Sequence, residues 1–293
     1  MIKVSVVILN WNGADMLRRF LPSVISCSQG EGIEVCVADN GSSDDSCRIV
    51  EGEFPSVRLI RLPENYGFAD GYNKALEQVD AEYVVLLNSD VEVSSGWLSA
   101  MVSYMDLHPE VAACQPKILD WKNKEYFEYA GAAGGFIDRY GYPFCRGRVF
   151  DTVEKDIAQY DAPVCLPQSV VYHVGGATLK KENPRKTFLN FRNNLLMLYK
   201  NLPAEELVSV MRTRTCLDYL AALFFLLKGD VSNFRAVLQA RKEFLRLRPE
   251  FVSDRQENLD KTVLADIPER FKFSILWQSK LLGRKKYADL PVK

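Results

Sequence analysis

Two kinds of residue cluster in this chain have the types and spacing to do chemistry. The first is Asn88-Ser89-Asp90, which ends the apolar run Tyr83–Leu87. A continuous Val/Leu run of this kind reads as a strand covered on both faces. Asp90 then stands at the carboxyl end of a central strand, the edge at which open α/β sheets bind ligands. With no Lys or Arg beside it, Asp90 suits a hard divalent cation such as Mg2+ or Mn2+ gripping phosphate oxygens. The plainer alternative is an Asx turn, with Asp90 capping a helix that begins near Gly96. The second kind comprises Asn10 and Asn12 after the run Val4–Leu9, and Asp39-Asn40-Gly41-Ser42 after Glu34–Ala38. Asp39 could accept from the imide or amide edge of a base. Each cluster alone also reads as a turn; their convergence on one edge is what argues for a site.

Two further stretches add to it. In Asn65-Tyr66-Gly67-Phe68-Ala69-Asp70-Gly71-Tyr72-Asn73, Gly67 and Gly71 bracket a helix start. Close backbone approach, free N–H groups and the positive end of the helix dipole favour a diphosphate there. Equally, such glycines let a helix pack closely on a sheet. His173 lies in Val170-Val171-Tyr172-His173-Val174-Gly175-Gly176, a strand running into paired glycines. It reads either as a structural histidine or as a metal ligand or phosphate contact. Lys180, Lys181, Arg185, Lys186 and Arg192 follow it as phosphate contacts or as a solvated basic face.

The elements that must position these residues alternate. Strands are predicted at Val4–Leu9, Glu34–Ala38, Val57–Leu62 and Tyr83–Leu87. Helices fall at about 14–26, 44–54, 70–78 and 96–106, the second capped by Ser42 or Ser43. This order implies right-handed βαβ units and a mainly parallel sheet. Asn10-Trp11-Asn12-Gly13 follows the first strand in place of G-x-G-x-x-G, so the dinucleotide fingerprint is absent. Ala113–Leu119 reads as a further strand, and Gly131–Phe136 with Asp138-Arg139-Tyr140-Gly141 as glycine-rich loops.

At 293 residues, 47% hydrophobic and 26% charged, the chain suits one large soluble domain with an appendage. We place the division at 204/205. Residues 205–293 read as helical and carry 17 Lys/Arg against 12 Asp/Glu, whereas residues 1–204 carry 20 against 26. The basic part is therefore the one suited to an anionic surface. Leu217–Leu227 is too short to span a bilayer and too apolar for a free surface, so it either packs on the catalytic part or lies in a membrane interface. Seven cysteines without a C-x-x-C pair indicate neither a disulfide framework nor a zinc site. With no signal-peptide zones, a cytoplasmic protein, peripheral on the inner membrane face, is expected.

The motifs S-V-V-I-L-N-W-N, V-A-D-N-G-S-S-D, N-Y-G-F-A-D-G-Y-N, L-L-N-S-D and V-Y-H-V-G-G resemble glycosyltransferase family 2. Their order and spacing over residues 2–200 are closest to its bacterial, rhamnosyltransferase-like branch. The resemblance implies a GT-A fold, a Rossmann-like α/β sheet, here with a C-terminal helical extension. It also implies an inverting, metal-dependent transfer from a nucleotide-diphospho-sugar, rhamnose among the candidates, to a glycan or lipid-linked glycan of the cell envelope. No nucleic acid is implied. Carried over by position, Asn10 and Asp39 hold the base. Asn65, Gly67 and Asn73 line the nucleotide pocket; Asn12, Gly71 and Asn88 are read as substrate-binding beside them. Asp90 and His173 serve the metal and diphosphate, and Arg192 reaches a phosphate. The glycine-rich loops would border the acceptor.

One departure stands against this assignment. Family members of this type carry a G-A-x-L strand, a G-G-F-D turn and an acidic E-D pair before the V-x-H-x-G-G strand, one Asp serving as the catalytic base. This chain passes from Asp156–Val164 straight to Cys165–Val170. Roughly forty residues are missing, more than an unstructured interior loop normally spans. The segment was either left out of this chain or deleted naturally. Asp156 and Asp161 are the nearest carboxylates, but neither has the E-D context. The rival readings are a nucleotide-sugar-binding protein without transfer activity and a nucleotidyltransferase, the latter disfavoured because no Gly- and Lys-rich phosphate loop follows the first strand.

Overall fold

The computed structural model describes residues 2–129, 132–157, 165–174, 183–262, 267 and 270–292. The strands are β1 (Ile2–Asn10), β2 (Ile33–Asn40), β3 (Arg58–Leu62), β4 (Ala81–Asn88), β5 (Val91–Val93), β6 (Gln115–Asp120), β7 (Gly135–Asp138), β8 (Pro143–Cys145), β9 (Arg148–Val149), β10 (Thr152–Val153), β11 (Cys165–His173) and β12 (Arg270–Phe271). The helices are α1 (Ala14–Cys27), α2 (Ser46–Glu53), α3 (Gly67–Leu76), α4 (Trp97–Leu107), α5 (Pro184–Asn201), α6 (Ala204–Leu227), α7 (Val231–Leu247) and α8 (Val252–Lys261).

Contacts divide the chain into two compact units, one of residues 1–134 and 146–175, the other of 135–145 and 176–293. The 204/205 point falls in the first turn of α6, which packs with α5 within the second unit.

In the first unit a parallel sheet runs β3-β2-β1-β4. β1 is its centre. Val4, Val6 and Ile8 face α1 through Leu17, Leu21 and Val24. Val7 faces the other way, with Cys36, Ala38 and the α3 residues Tyr72 and Ala75. Apolar residues on both faces are what a strand buried between two helical layers requires. A second sheet, β5-β11-β6, pairs β11 antiparallel to β5 and parallel to β6, with a register shift between Leu166 and Val170.

The expectation that β4 is covered on both faces is corrected. Leu87 is buried, but Val84 and Leu86 are 40% and 54% exposed. β4 is the last strand of its sheet, and among the described residues none pairs with its outer edge. A groove of about 790 Å3 runs there, lined by Leu86, Met101 and Ile118 together with Asn88, Glu128 and His173. The apolar composition of β4 fits a neighbour that the described residues do not supply.

The second unit is built on α5, α6, α7 and α8. The reading of residues 205–293 as helical misses β12, which pairs with β7 (Arg270↔Ile137, Phe271↔Asp138). Around them Phe136, Phe144, Phe271, Phe273 and Tyr287 form one ring cluster. Asp218, fully buried, holds Arg214 (Nη2–Oδ1 2.9 Å) and Arg241 (Nη1–Oδ2 2.6 Å). Arg214 also donates to the Tyr140 carbonyl and to Asn194, and Arg241 to Thr215. No helix among the described residues is long and apolar enough to cross a membrane.

Candidate functional site

Parallel register brings the first two clusters together. Asn10 on β1 is level with Asp39 on β2, and Leu9 is level with Asn88 on β4. Asn10 Nδ2 donates to Asp39 Oδ1 (3.1 Å) and to Ser42 Oγ (3.3 Å), while the Ser42 N–H donates to Asp39 Oδ2 (3.0 Å). Asn10 Oδ1 is buried and makes no hydrogen bond. The Asn12 carboxamide oxygen accepts from the Ser43 and Asp44 N–H groups, at 2.8 and 3.3 Å. The loops after β1 and β2 are thus laced into one edge. Trp11, 53% exposed, stands on that edge.

Ser42 and Ser43 are spent on this lacing, so neither caps α2. Asp45 occupies the cap position without a side-chain bond, and Asp44 takes the Ser46 N–H at 3.0 Å instead.

Asn40 and Asn65 build the third part. Asn40 Nδ2 donates to Asn65 Oδ1 (3.0 Å) and to the Gly67 carbonyl (2.8 Å), and its own oxygen accepts from the Tyr66 N–H. Gly67, at φ +78°, takes a backbone conformation that L side chains rarely adopt, and its N–H donates to Asn65 Oδ1. A Cβ on Gly71 would come within 2.9 Å of Asn40 Nδ2, so Gly71 serves close helix–strand packing. Asn73 is exposed on α3, as is Phe68 at the start of that helix.

Asp90, 8% exposed, sits in the turn between β4 and β5. His173 reaches it because β11 pairs with β5 at His173↔Val91, and the Val174 N–H closes on the Asp90 carbonyl (3.2 Å). His173 Nε2 is 3.2 Å from Asp90 Oδ1, and Nδ1 is 3.6 Å from Glu128 Oε2. Burial alone would lower the imidazole pKa, but the hydrogen bonds and charges of Asp90 and Glu128 outweigh it and carry it up to about 9. His173 is therefore an imidazolium between two carboxylates at neutral pH. Asp90 does not cap the next helix: Gly96 occupies that position, at φ +75°.

Glu128 was not foreseen. It is brought in by β6, where its N–H donates to the Ile118 carbonyl (3.0 Å) and Phe127 bridges Leu119. No local signal marks it. Among the described residues no three His, Cys, Asp or Glu side chains converge as a ready metal cage. The imidazole instead separates the two carboxylates.

Arg192 belongs to α5 in the second unit, where it donates to Asn193 Oδ1 at 2.9–3.0 Å and lies over Phe188. Asp138 is 1% exposed and organises its turn by accepting from the N–H groups of Tyr140, Tyr142 and Ile275. Asp156 is paired with Lys117 at 2.5 Å. Gly131, Asp161, Gly175, Gly176, Lys180 and Lys181 lie outside the described residues.

The family model for glycosyl transferase family 2 matches residues 5–175 of this chain. The chain belongs to that family. The N-acetylglucosaminyl-diphospho-decaprenol L-rhamnosyltransferase of Mycobacterium tuberculosis is 29% identical over 128 residues, 40% of this chain and 41% of that one. The pre-mycofactocin glycosyltransferase of the same organism is 28% identical over 180 residues, 60% of this chain and 32% of that one. The chain thus matches less than half the length of either. Residues 1–349 of S. aureus TarS, in complex with UDP-GlcNAc, superpose with a TM-score of 0.51 at 15% identity, covering 88% of each chain. The shared fold is the GT-A type, with the β3-β2-β1-β4 sheet followed by the C-terminal helices.

Proposed function

We propose that the first unit binds a nucleotide-diphospho-sugar across the carboxyl ends of β1, β2 and β4, as the donor of an inverting glycosyl transfer. The observation that carries this reading is that Asn10, Asp39 and Asn88 end three parallel strands of one sheet in a family 2 chain, with Asp90 in the turn after β4 and His173 of the second sheet beside it. Asn10 and Asp39 hold the base. The Asn10 oxygen, buried and without a hydrogen bond, is an acceptor left for a donor group. Asn12, Asn65, Gly67, Asn73 and Asn88 line the pocket. The neighbour solved with UDP-GlcNAc makes UDP the first probe.

Carboxylate and imidazole donors fit a divalent cation whose other ligands are phosphate oxygens and water. Asp90 and His173 would hold it, Glu128 steadying the far side of the ring. When bound, Mg2+ or Mn2+ supplies Lewis-acid stabilisation to the departing diphosphate. The imidazolium proton must leave before Nε2 can ligate, so metal affinity rises with pH. Without metal, His173 itself offers positive charge to a phosphate. The acceptor is a glycan or lipid-linked glycan, and rhamnose is one candidate sugar.

A second reading, nucleotide-sugar binding without transfer, is favoured by the bare outer edge of β4 and by the absence of the acidic segment between Val164 and Cys165. Calorimetry with UDP and Mn2+ tests what the two readings share. Asp90→Asn is expected to abolish metal-dependent binding with the fold kept by circular dichroism, while loss of the carboxylate beside His173 lowers the melting temperature. Unchanged affinity would remove Asp90 from the site.

A further inference from the structure

The end of α6 runs past its own packing. Val210, Arg214, Asp218 and Ala222 are buried at four-residue spacing, on the side where Asp218 meets Arg241 of α7. One turn further on the series stops. Tyr219, Leu220, Leu223, Phe224, Leu226 and Leu227 are between 41% and 77% exposed. At 100° per residue these six cover roughly 160° of the helix circumference. Gly229 then turns the chain, and α7 opens with Val231, itself 41% exposed. The α6–α7 hairpin therefore ends in an apolar tip rather than in an apolar stripe.

The charges around the tip are predominantly positive. Arg212 is exposed on the row that continues to Leu220 and Phe224, and Arg235 is exposed one turn into α7. The Lys228 ammonium lies 4.3 Å over the Phe224 ring. The nearest carboxylate, Asp230, is engaged at the start of α7, where it accepts from the Asn233 N–H at 3.0 Å and from its side chain at 2.7 Å.

We propose that this tip docks on an anionic lipid surface, the apolar side chains entering the acyl boundary and Arg212, Lys228 and Arg235 meeting the headgroups. A second copy packed along α6 would cover one stripe, about 100° wide, and leave the rest of the tip wet. A bilayer interface receives a tip from all sides. It also suits a helix too short in apolar length to cross. The inference does not depend on the sugar-transfer reading, because nothing in it involves the nucleotide edge.

The test is flotation of the full chain with phosphatidylcholine vesicles containing about a third phosphatidylglycerol. The parent is expected to float at low salt and to be released at high salt. Leu223→Asp with Leu227→Asp is expected to stay with the soluble fraction. Lys228→Glu with Arg235→Glu is expected to weaken partitioning by about fivefold for each charge lost, and further for each reversed. Both pairs are exposed, so melting curves by circular dichroism should match the parent, and that comparison separates lost docking from lost folding. Failure of the parent to float at low salt would overturn the proposal. So would light scattering that shows a stable dimer converted to monomer by Leu223→Asp with Leu227→Asp, since a second copy would then own the tip.

Discussion

On the β2 side of β1 the polar groups answer one another; on the β4 side the sheet simply stops. Asn10, Asp39 and Ser42 close a small circuit within hydrogen-bond distance, and Asn40, Asn65 and Gly67 close another. Across β1, Leu86 is half exposed and an unfilled groove runs beside it. Both sides come from neighbouring strands of one parallel sheet. The circuits need only residues from the ends of adjacent strands, which parallel register delivers. The β4 side needs a strand or layer from elsewhere in the chain, and the described residues do not provide one.

The largest effect that would sharpen this contrast is catalytic. A chain confirmed by intact mass at 293 residues is expected to bind UDP yet to transfer sugar poorly. Loss of a general base alone costs about 10²–10⁴-fold. Product analysis under single-turnover conditions measures it, and efficient turnover would mean that the base lies elsewhere. Next comes a matched pair of truncations. Ile8→Ala, in the doubly covered centre, should lower stability by about 2–5 kcal/mol. Leu86→Ala should change it by no more than about 0.5 kcal/mol. Urea unfolding of both would break the comparison if the two costs were alike.

Smaller again is Asp39→Ala, which leaves the Ser42 N–H without its acceptor and the Asn10 amide with Ser42 Oγ alone. A cost of about 1–3 kcal/mol in urea unfolding is expected. The last is a pH dependence. The His173 pKa is raised from 6.5 to about 9, so the stability it contributes is fully present below its ordinary pKa and is lost as pH rises through about 9. In metal-free protein the stability difference between the parent and His173→Gln should therefore shrink between pH 7 and pH 10. A difference that stayed constant would show that the ring is neutral throughout.

Much of this was legible because it is local. The four parallel strands and the helices between them follow from apolar runs and their breaks, and Asn10, Asp39 and Asp90 stand at strand ends that composition alone marks. Glu128 could not be read in that way. It reaches His173 only through the bridge Leu119↔Phe127 onto β6 and the pairing of β6 with β11, whose partners lie about fifty positions apart in the chain. The misjudged cover on β4 has the opposite cause. Its Val and Leu side chains state what the strand is suited to meet, and a sequence pattern cannot show whether that neighbour is there.

Asp218 has a consequence for how the second unit meets its surroundings. By gripping Arg214 four residues earlier on α6 and Arg241 on α7, it fixes the rotation of α6 about its own axis. A slip of one residue would swing the helix by about 100°, carrying Leu223 and Phe224 toward α7 and bringing charged neighbours outward. The buried carboxylate thus acts as an index pin. It gives the apolar tip a single bearing, so any surface that receives the tip receives the whole helical unit in one attitude, and orientational entropy is surrendered during folding rather than at each encounter.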